Sequence, residues 1–201
     1  MQINILEYLD RIVKYKPDKI AYTDGETGLS FSEVRERARA VGSFLAERGL
    51  YKEPVVVFMN KSPDAVAAFF GVVYAGNYYV PLDEETPVYR IELILRSLKP
   101  KAVIRGGAAV SALAGYNCYS YGETIKTPVK DEALSEIRDK AIDTDPVYAV
   151  FTSGSTGTPK GVLACHRSVI DYIENLSEVL GFDGETVFGN QAPLYVDACL
   201  K

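Results

Sequence analysis

Residues 152–161 read Thr152-Ser153-Gly154-Ser155-Thr156-Gly157-Thr158-Pro159-Lys160-Gly161, a run of glycines and hydroxyl side chains closed by a Pro-Lys pair. Glycine has no Cβ, so the backbone at Gly154 and Gly157 can turn its N–H groups inward on a shared anion. The hydroxyls of Thr152, Ser153, Ser155 and Thr156 add donors, and Lys160 adds a compact positive charge suited to phosphate. The apolar run Val147-Tyr148-Ala149-Val150-Phe151 precedes the loop, and Val162-Leu163-Ala164 follows it. A polar loop sprung from a buried strand, with a second strand abutting its far end, is suited to holding a polyphosphate. The alternative is a flexible surface turn, for which this composition is also usual. A mere linker, however, would need neither the Pro-Lys pair nor the flanking strands.

Two common phosphate patterns do not fit. Counted from Gly154, the nucleoside-triphosphatase pattern G-x-x-x-x-G-K-S/T would need a glycine at Pro159 and a metal-binding hydroxyl at Gly161. The dinucleotide pattern G-x-G-x-x-G is absent from the loop. A second candidate is Asp197, which follows the largely apolar stretch 192–196. A buried carboxylate there calls for a cationic partner; the other reading is an exposed aspartate in a turn. His166, the one histidine, has no acid or nucleophile beside it in sequence and is expected to shape the start of a helix. Asp83 and Arg90 are expected to be structural, placing the helix after Thr86. Cys165 and Cys199 read as small packing residues, with nothing basic set to activate either. The 14 tyrosines read most simply as packing.

The elements that must position these residues alternate between helical and strand-like patterns. Ser32 is expected to cap a helix through Val34, Ala38, Val41, Phe44 and Leu45, with Gly49 ending it. Residues 55–59 form a short buried strand. Ser62-Pro63 opens an almost wholly apolar helix that Gly76 closes. Residues 78–80 are strand-like, and Thr86-Pro87 repeats the cap-and-proline device for a helix carrying Ile91, Ile94, Leu95 and Leu98. Residues 102–104 make another strand. The signal weakens from Arg105 to Pro146, apart from a charged helix over 131–140. A helix then starts near Ser168 with Val169, Ile170, Ile173, Leu176 and Leu180 on one side, and Val187-Phe188 begins a further strand. This alternation predicts an α/β layered domain with a largely parallel sheet flanked by helices. Ligands of such sheets gather at the carboxyl ends of the strands, where the polar loop would lie.

Composition narrows the partners. A hydrophobic content of 47% over 201 residues can bury one substantial core. A net charge of −5 without a basic cluster disfavours nucleic acid, whose binding depends on concentrated positive charge. No apolar run approaches the length of a membrane span, and residues 1–7 lack a basic, then apolar, leader pattern. Three widely spaced cysteines and one histidine offer no zinc-ligand spacing. These features read as a cytoplasmic chain with reduced thiols.

The stretch 151–162 resembles the signature loop of the adenylate-forming enzymes, which comprise acyl-CoA synthetases, luciferases and amino-acid adenylation domains. Three other segments agree in order. Leu29-Ser30-Phe31-Ser32-Glu33-Val34 resembles the family's early "L-T/S-Y-x-E-L" motif. Residues 75–83 with Pro87, Arg90 and Ile91 resemble "K-A-G-x-A-Y-V-P-L-D-P-x-x-P-x-x-R-I". Residues 190–198 resemble the "F-D-x-S" region of the amino-acid branch. Within that branch the likeness is greatest to D-alanine–D-alanyl carrier protein ligases. The resemblance implies that the loop folds over the β- and γ-phosphates of ATP while a substrate carboxylate attacks the α-phosphorus, giving acyl-AMP and pyrophosphate. Thr152, Ser153, Gly154, Ser155, Thr156, Gly157 and Lys160 would then bind ATP; Lys160 could instead pair with a carboxylate to pin the loop. Asp197 would receive the α-ammonium of an amino acid such as D-alanine. The acceptor would be a phosphopantetheine carrier protein or coenzyme A.

The chain departs from that family in two ways. Val196 and Cys199 stand where phenylalanine and serine are usual, which alters the pocket wall. The family's glutamate motif for Mg2+, its "Y-x-T-G-D" ribose motif and its mobile C-terminal domain are not present before Lys201. The expectation is therefore one incomplete N-terminal AMP-binding domain over 1–201, truncated naturally or deliberately and inactive alone, with no catalytic residue of its own and its metal ligand downstream. A non-catalytic nucleotide-binding or interaction remnant is the alternative. A kinase with an unusual loop is a third, and would release ADP rather than pyrophosphate.

Overall fold

The computed structural model describes residues 2–108, 110–152 and 159–197. In chain order the elements are α1 (Leu6–Tyr15), β1 (Ile20–Thr23), β2 (Gly28–Ser30), α2 (Phe31–Ala46), β3 (Pro54–Phe58), α3 (Pro63–Tyr74), β4 (Tyr78–Leu82), α4 (Val88–Leu98) and β5 (Ala102–Arg105). A 3-10 turn at Ser111–Leu113 follows, then β6 (Cys118–Ser120), α5 (Tyr121–Thr124), α6 (Asp131–Asp139), β7 (Pro146–Thr152), β8 (Lys160–Cys165) and α7 (His166–Leu180). The main sheet has six strands in the order β6-β5-β3-β4-β7-β8. All its neighbours run parallel except β7 and β8, which form an antiparallel hairpin. The largely parallel sheet expected from the sequence is therefore present. A separate antiparallel pair, β1 and β2, leads into α2.

Parallel strands covered on both faces read as continuous apolar runs, and Val55-Val56-Val57-Phe58 is one. Their alternation splits the core. Val55 and Val57, with Tyr79, Ile104, Tyr148 and Val150, pack under α1, α2 and α3. Val56 and Phe58, with Val80, Leu82, Val103 and Ala149, pack under α4 and the 3-10 turn. Glycines let α2 and α3 approach closely. A Cβ on Gly71 would stand 2.5 Å from Val41 Cβ and 2.9 Å from the Ala38 carbonyl, and one on Gly42 would stand 2.7 Å from Tyr74 Cβ.

Several boundaries differ from the expectation. The cap of α2 is Ser30, not Ser32: Ser30 Oγ accepts from the Glu33 N–H at 3.3 Å, and Glu33 Oε2 accepts from the Ser30 N–H at 2.7 Å. Three residues after Ser32 stands Arg35, which cannot reciprocate, so the capping box selects Ser30. Ser62 caps α3 as expected, accepting from the Ala65 N–H at 3.2 Å, with Pro63 in the first turn. The same device fails at Thr86-Pro87. Thr86 Oγ1 donates to Asp83 Oδ1 at 2.8 Å, and Pro87 itself takes the cap position of α4. Gly76 and Gly181, at φ +69° and +66°, follow α3 and α7 as left-handed stops. α7 begins at His166 rather than near Ser168. Val187 and Phe188 begin no strand. Asp183 Oδ1 takes the Glu185 N–H and the Thr186 hydroxyl into a turn, and Phe188 packs edge-on against Phe182 at 4.6 Å.

Candidate functional site

The carboxyl ends of β3, β4, β5 and β7 lie along one edge of the sheet, and the polar loop leaves the sheet at the end of β7. Thr152 is the last residue of β7 and Lys160 the first of β8; they face each other across the hairpin, with Thr152 Oγ1 donating to the Lys160 carbonyl at 3.5 Å. Both side chains are exposed. Lys160 forms no ion pair among the described residues, so the alternative role of pinning the loop has no partner there. The other expected loop residues, Ser153, Gly154, Ser155, Thr156 and Gly157, lie outside the described residues, as does Cys199. The hairpin is braced from below, where Arg90 Nη2 on α4 donates to the Phe151 carbonyl at 3.1 Å. Asp83 holds Thr86 just ahead of α4, in keeping with the placing role expected of it, whereas Arg90 reaches out of α4 to the root of the loop instead of placing that helix.

Asp197 is half-buried, and its Oδ1 accepts the Tyr148 hydroxyl at 2.7 Å. Tyr148, in the middle of β7, is wholly buried. Its ring lies 5.7 Å from that of Tyr79 on β4, which stacks on Phe69 of α3 at 4.3 Å. Burial and the Asp197 carboxylate raise the Tyr148 hydroxyl above the usual tyrosine range, so it remains a proton donor at neutral pH. The segment leading to Asp197 is held at other points as well. Lys61 Nζ, just past β3, donates to the carbonyls of Asn190 and Ala192, the latter at 3.3 Å. Lys19 Nζ donates to the Gly184 carbonyl at 2.6 Å. Gln191, Pro193, Leu194 and Tyr195 of this segment line a cleft of about 340 Å³ at the ends of β3 and β4, together with Met59, Phe69, Leu82, Asp83 and Glu85.

Tyr148 is the residue that reading tyrosines as packing overlooked. A tyrosine inside a strand buried on both faces must find a partner for its hydroxyl, and that was the available signal. Three other tyrosines behave alike: Tyr74 donates to Asp10, Tyr121 to Asp64 and Tyr8 to Glu174. His166 opens α7 as expected, but its task is long-range. Its buried ring accepts the Ile5 N–H on Nδ1 at 3.2 Å, and Nε2 lies 3.4 Å from the Asn4 amide nitrogen. Burial, then Arg138, pushes its pKa down to about 4. Cys165 occupies the cap position of α7, its N–H and carbonyl both engaged by the Ser168 hydroxyl. Among the described residues no group of three or more histidine, cysteine or acidic side chains is placed to hold a metal ion. No helix among them is long and apolar enough to cross a membrane.

The sequence profile of the AMP-binding enzyme family matches residues 9–200. The chain belongs to that family. It is 31% identical over 202 residues to the D-alanine–D-alanyl carrier protein ligase of Listeria monocytogenes serotype 4a (strain HCC23), a match covering 98% of this chain and 40% of that protein. It is 30% identical over 168 residues to bacitracin synthase 1 of Bacillus licheniformis, covering 81% of this chain and 3% of the synthase. The chain thus spans about two fifths of the carrier protein ligases it matches. Among solved structures, VinN superposes with a TM-score of 0.83 at 21% identity, over 100% of this chain and 53% of VinN. The nonribosomal peptide synthetase FmoA3, in its AMPPNP-bound form, superposes with a TM-score of 0.84 at 23% identity, over 98% of this chain and 21% of FmoA3. Those two structural likenesses establish the fold.

Proposed function

We propose that the protein carrying residues 1–201 activates a carboxylic acid with ATP, giving acyl-AMP and pyrophosphate, before passing the acyl group to a thiol. The observation that carries this reading is the family match across residues 9–200, which includes the whole β7–β8 hairpin. In this reading Thr152 and Lys160 stand at the two ends of the loop and, with Ser153, Gly154, Ser155, Thr156 and Gly157 between them, hold the ATP phosphates. Attack on the α-phosphorus needs charge stabilisation and alignment more than covalent help from protein groups. The preferred acid is an amino acid such as D-alanine, its ammonium received by Asp197. The half-buried position of that carboxylate supports this, as does the similarity to carrier protein ligases. The acceptor is the thiol of a phosphopantetheine carrier protein, or of coenzyme A, in the cytoplasm. Mg2+ would accompany ATP; among the described residues no group of three or more histidine, cysteine or acidic side chains is placed to hold it.

Acid-dependent ATP–pyrophosphate exchange by the full-length gene product tests the reading, across D- and L-amino acids, fatty acids and aryl acids. Exchange driven by D-alanine or another amino acid is expected. Exchange driven only by acids without an amine keeps the chemistry and overturns the role of Asp197. Release of ADP in place of pyrophosphate points to a kinase. No exchange with any acid leaves a nucleotide-binding or interaction remnant.

A further inference from the structure

The bond between Tyr148 and Asp197 joins the core of the sheet to the residue proposed to meet the substrate, and neither composition nor motif marks it. Tyr148 is fully enclosed, its ring set against that of Tyr79 in the core under α3. Its hydroxyl is therefore fixed in space by the sheet, whereas Asp197 directly follows a segment with neither helix nor strand, residues 182–196. Of the two, the tyrosine is the fixed point and the aspartate the part that needs fixing. We propose that Tyr148 is the positioning residue for the amino-acid site, setting the Asp197 carboxylate at the place and angle where it receives the substrate ammonium. This rests on the adenylation reading above and deepens it.

Three physical arguments converge. A carboxylate offers about four lone-pair sites, so a hydroxyl locking Oδ1 is compatible with further donors, an ammonium among them. A hydroxyl donated to a carboxylate favours its ionised form, the form that attracts a cation. Finally, Tyr148, Val150 and Thr152 alternate along β7 onto one face of the sheet. Tyr148 and Thr152 are then roughly 13 Å apart at the usual rise per residue. One strand would thus carry the anchor of the ammonium end and the root of the phosphate loop, so that the spacing between the two ends of the reactants is set by a single rigid element. Precise placement of this kind governs rate and selectivity because small misplacements of reacting groups are costly. Lys61 supports the same segment from the β3 side through the carbonyls of Asn190 and Ala192.

The test is the selectivity of pyrophosphate exchange by the full-length gene product for an amino acid over the same acid without its amine. In Tyr148→Phe the ratio of kcat/KM values should fall about tenfold, the effect of losing a hydrogen bond to a charged group. The KM for the amino acid should rise while the KM for ATP stays as in wild type, a split that general structural damage does not give. Asp197→Asn, which replaces a side chain nearer the surface, should lose the same preference. Adding Tyr148→Phe to it should cost no more, because the two act as one unit. Should Tyr148→Phe fail to fold, the Asp197→Asn protein still decides: retained preference for the amine overturns the proposal. If Tyr148→Phe keeps the wild-type preference, or raises both KM values together, the positioning role is overturned while the adenylation reading stands. Absence of exchange in the wild type overturns both.

Discussion

Lowering the pH should loosen the attachment of the N-terminal segment to α7, because the chain's one histidine is folded in its neutral form. His166 is 3% exposed, accepts the Ile5 N–H on Nδ1, and has a pKa pushed down to about 4 by burial and Arg138, against the opposing pull of Asp145, Asp143 and Glu7. The unfolded chain takes up its proton near 6.5, the ordinary histidine value. Between about 6.5 and about 4 the unfolded state binds more protons, so stability is fully present above about 6.5 and is lost as the pH falls through that window. Linkage puts the loss at about 2 kcal/mol by pH 5 and on the order of 3 kcal/mol by pH 4. Urea unfolding of wild type and His166→Asn at pH 7 and pH 5 isolates this contribution, since carboxylate titrations common to both cancel in the difference. The asparagine keeps an acceptor for Ile5 without a titrating ring. It should therefore be the less stable protein at pH 7 and recover about 2 kcal/mol relative to wild type at pH 5. Because His166 is the sole histidine, its ring proton resonance is assigned without mutagenesis and should show no titration down to pH 5. A midpoint near 6.5, or equal pH dependence in the two proteins, would refute the reasoning.

Three further outcomes follow from the packing and the hairpin. Gly71→Ala should destabilise by about 1–3 kcal/mol through overpacking against Val41; an unchanged melting temperature would mean that α2 and α3 separate freely. Ser30→Ala removes one arm of the capping box and should cost about 1 kcal/mol, read as a lower urea midpoint with the slope unchanged. Arg90→Ala removes the hold on the Phe151 carbonyl and should speed amide exchange at the end of β7, while β3 keeps its protection.

The sequence by itself determined the layering of the fold. Runs such as Val55–Phe58 suit only strands buried on both faces, and Ser62-Pro63 and Gly181 mark helix ends through side-chain chemistry that acts within a few residues. It also exposed the polar loop, since glycine, hydroxyl and lysine content is local. Wherever two signals competed, local reading was insufficient. Ser30 and Ser32 are both capable caps, and only Glu33 decides between them. Thr86 is drawn off by Asp83, and the apolar Val187-Phe188 pair has no sheet edge to join. The helix α1, the hairpin of β1 and β2, and the short elements β6 and α5 went unread, although Leu6, Leu9, Ile12 and Val13 do carry helical spacing. Tertiary structure alone decided the pairings across the chain: Tyr148 with Asp197, His166 with Ile5, Arg90 with Phe151. Each joins residues dozens of positions apart or more. A buried hydroxyl or imidazole announces in sequence only that it needs a partner; which partner it finds is fixed by how the strands and helices pack.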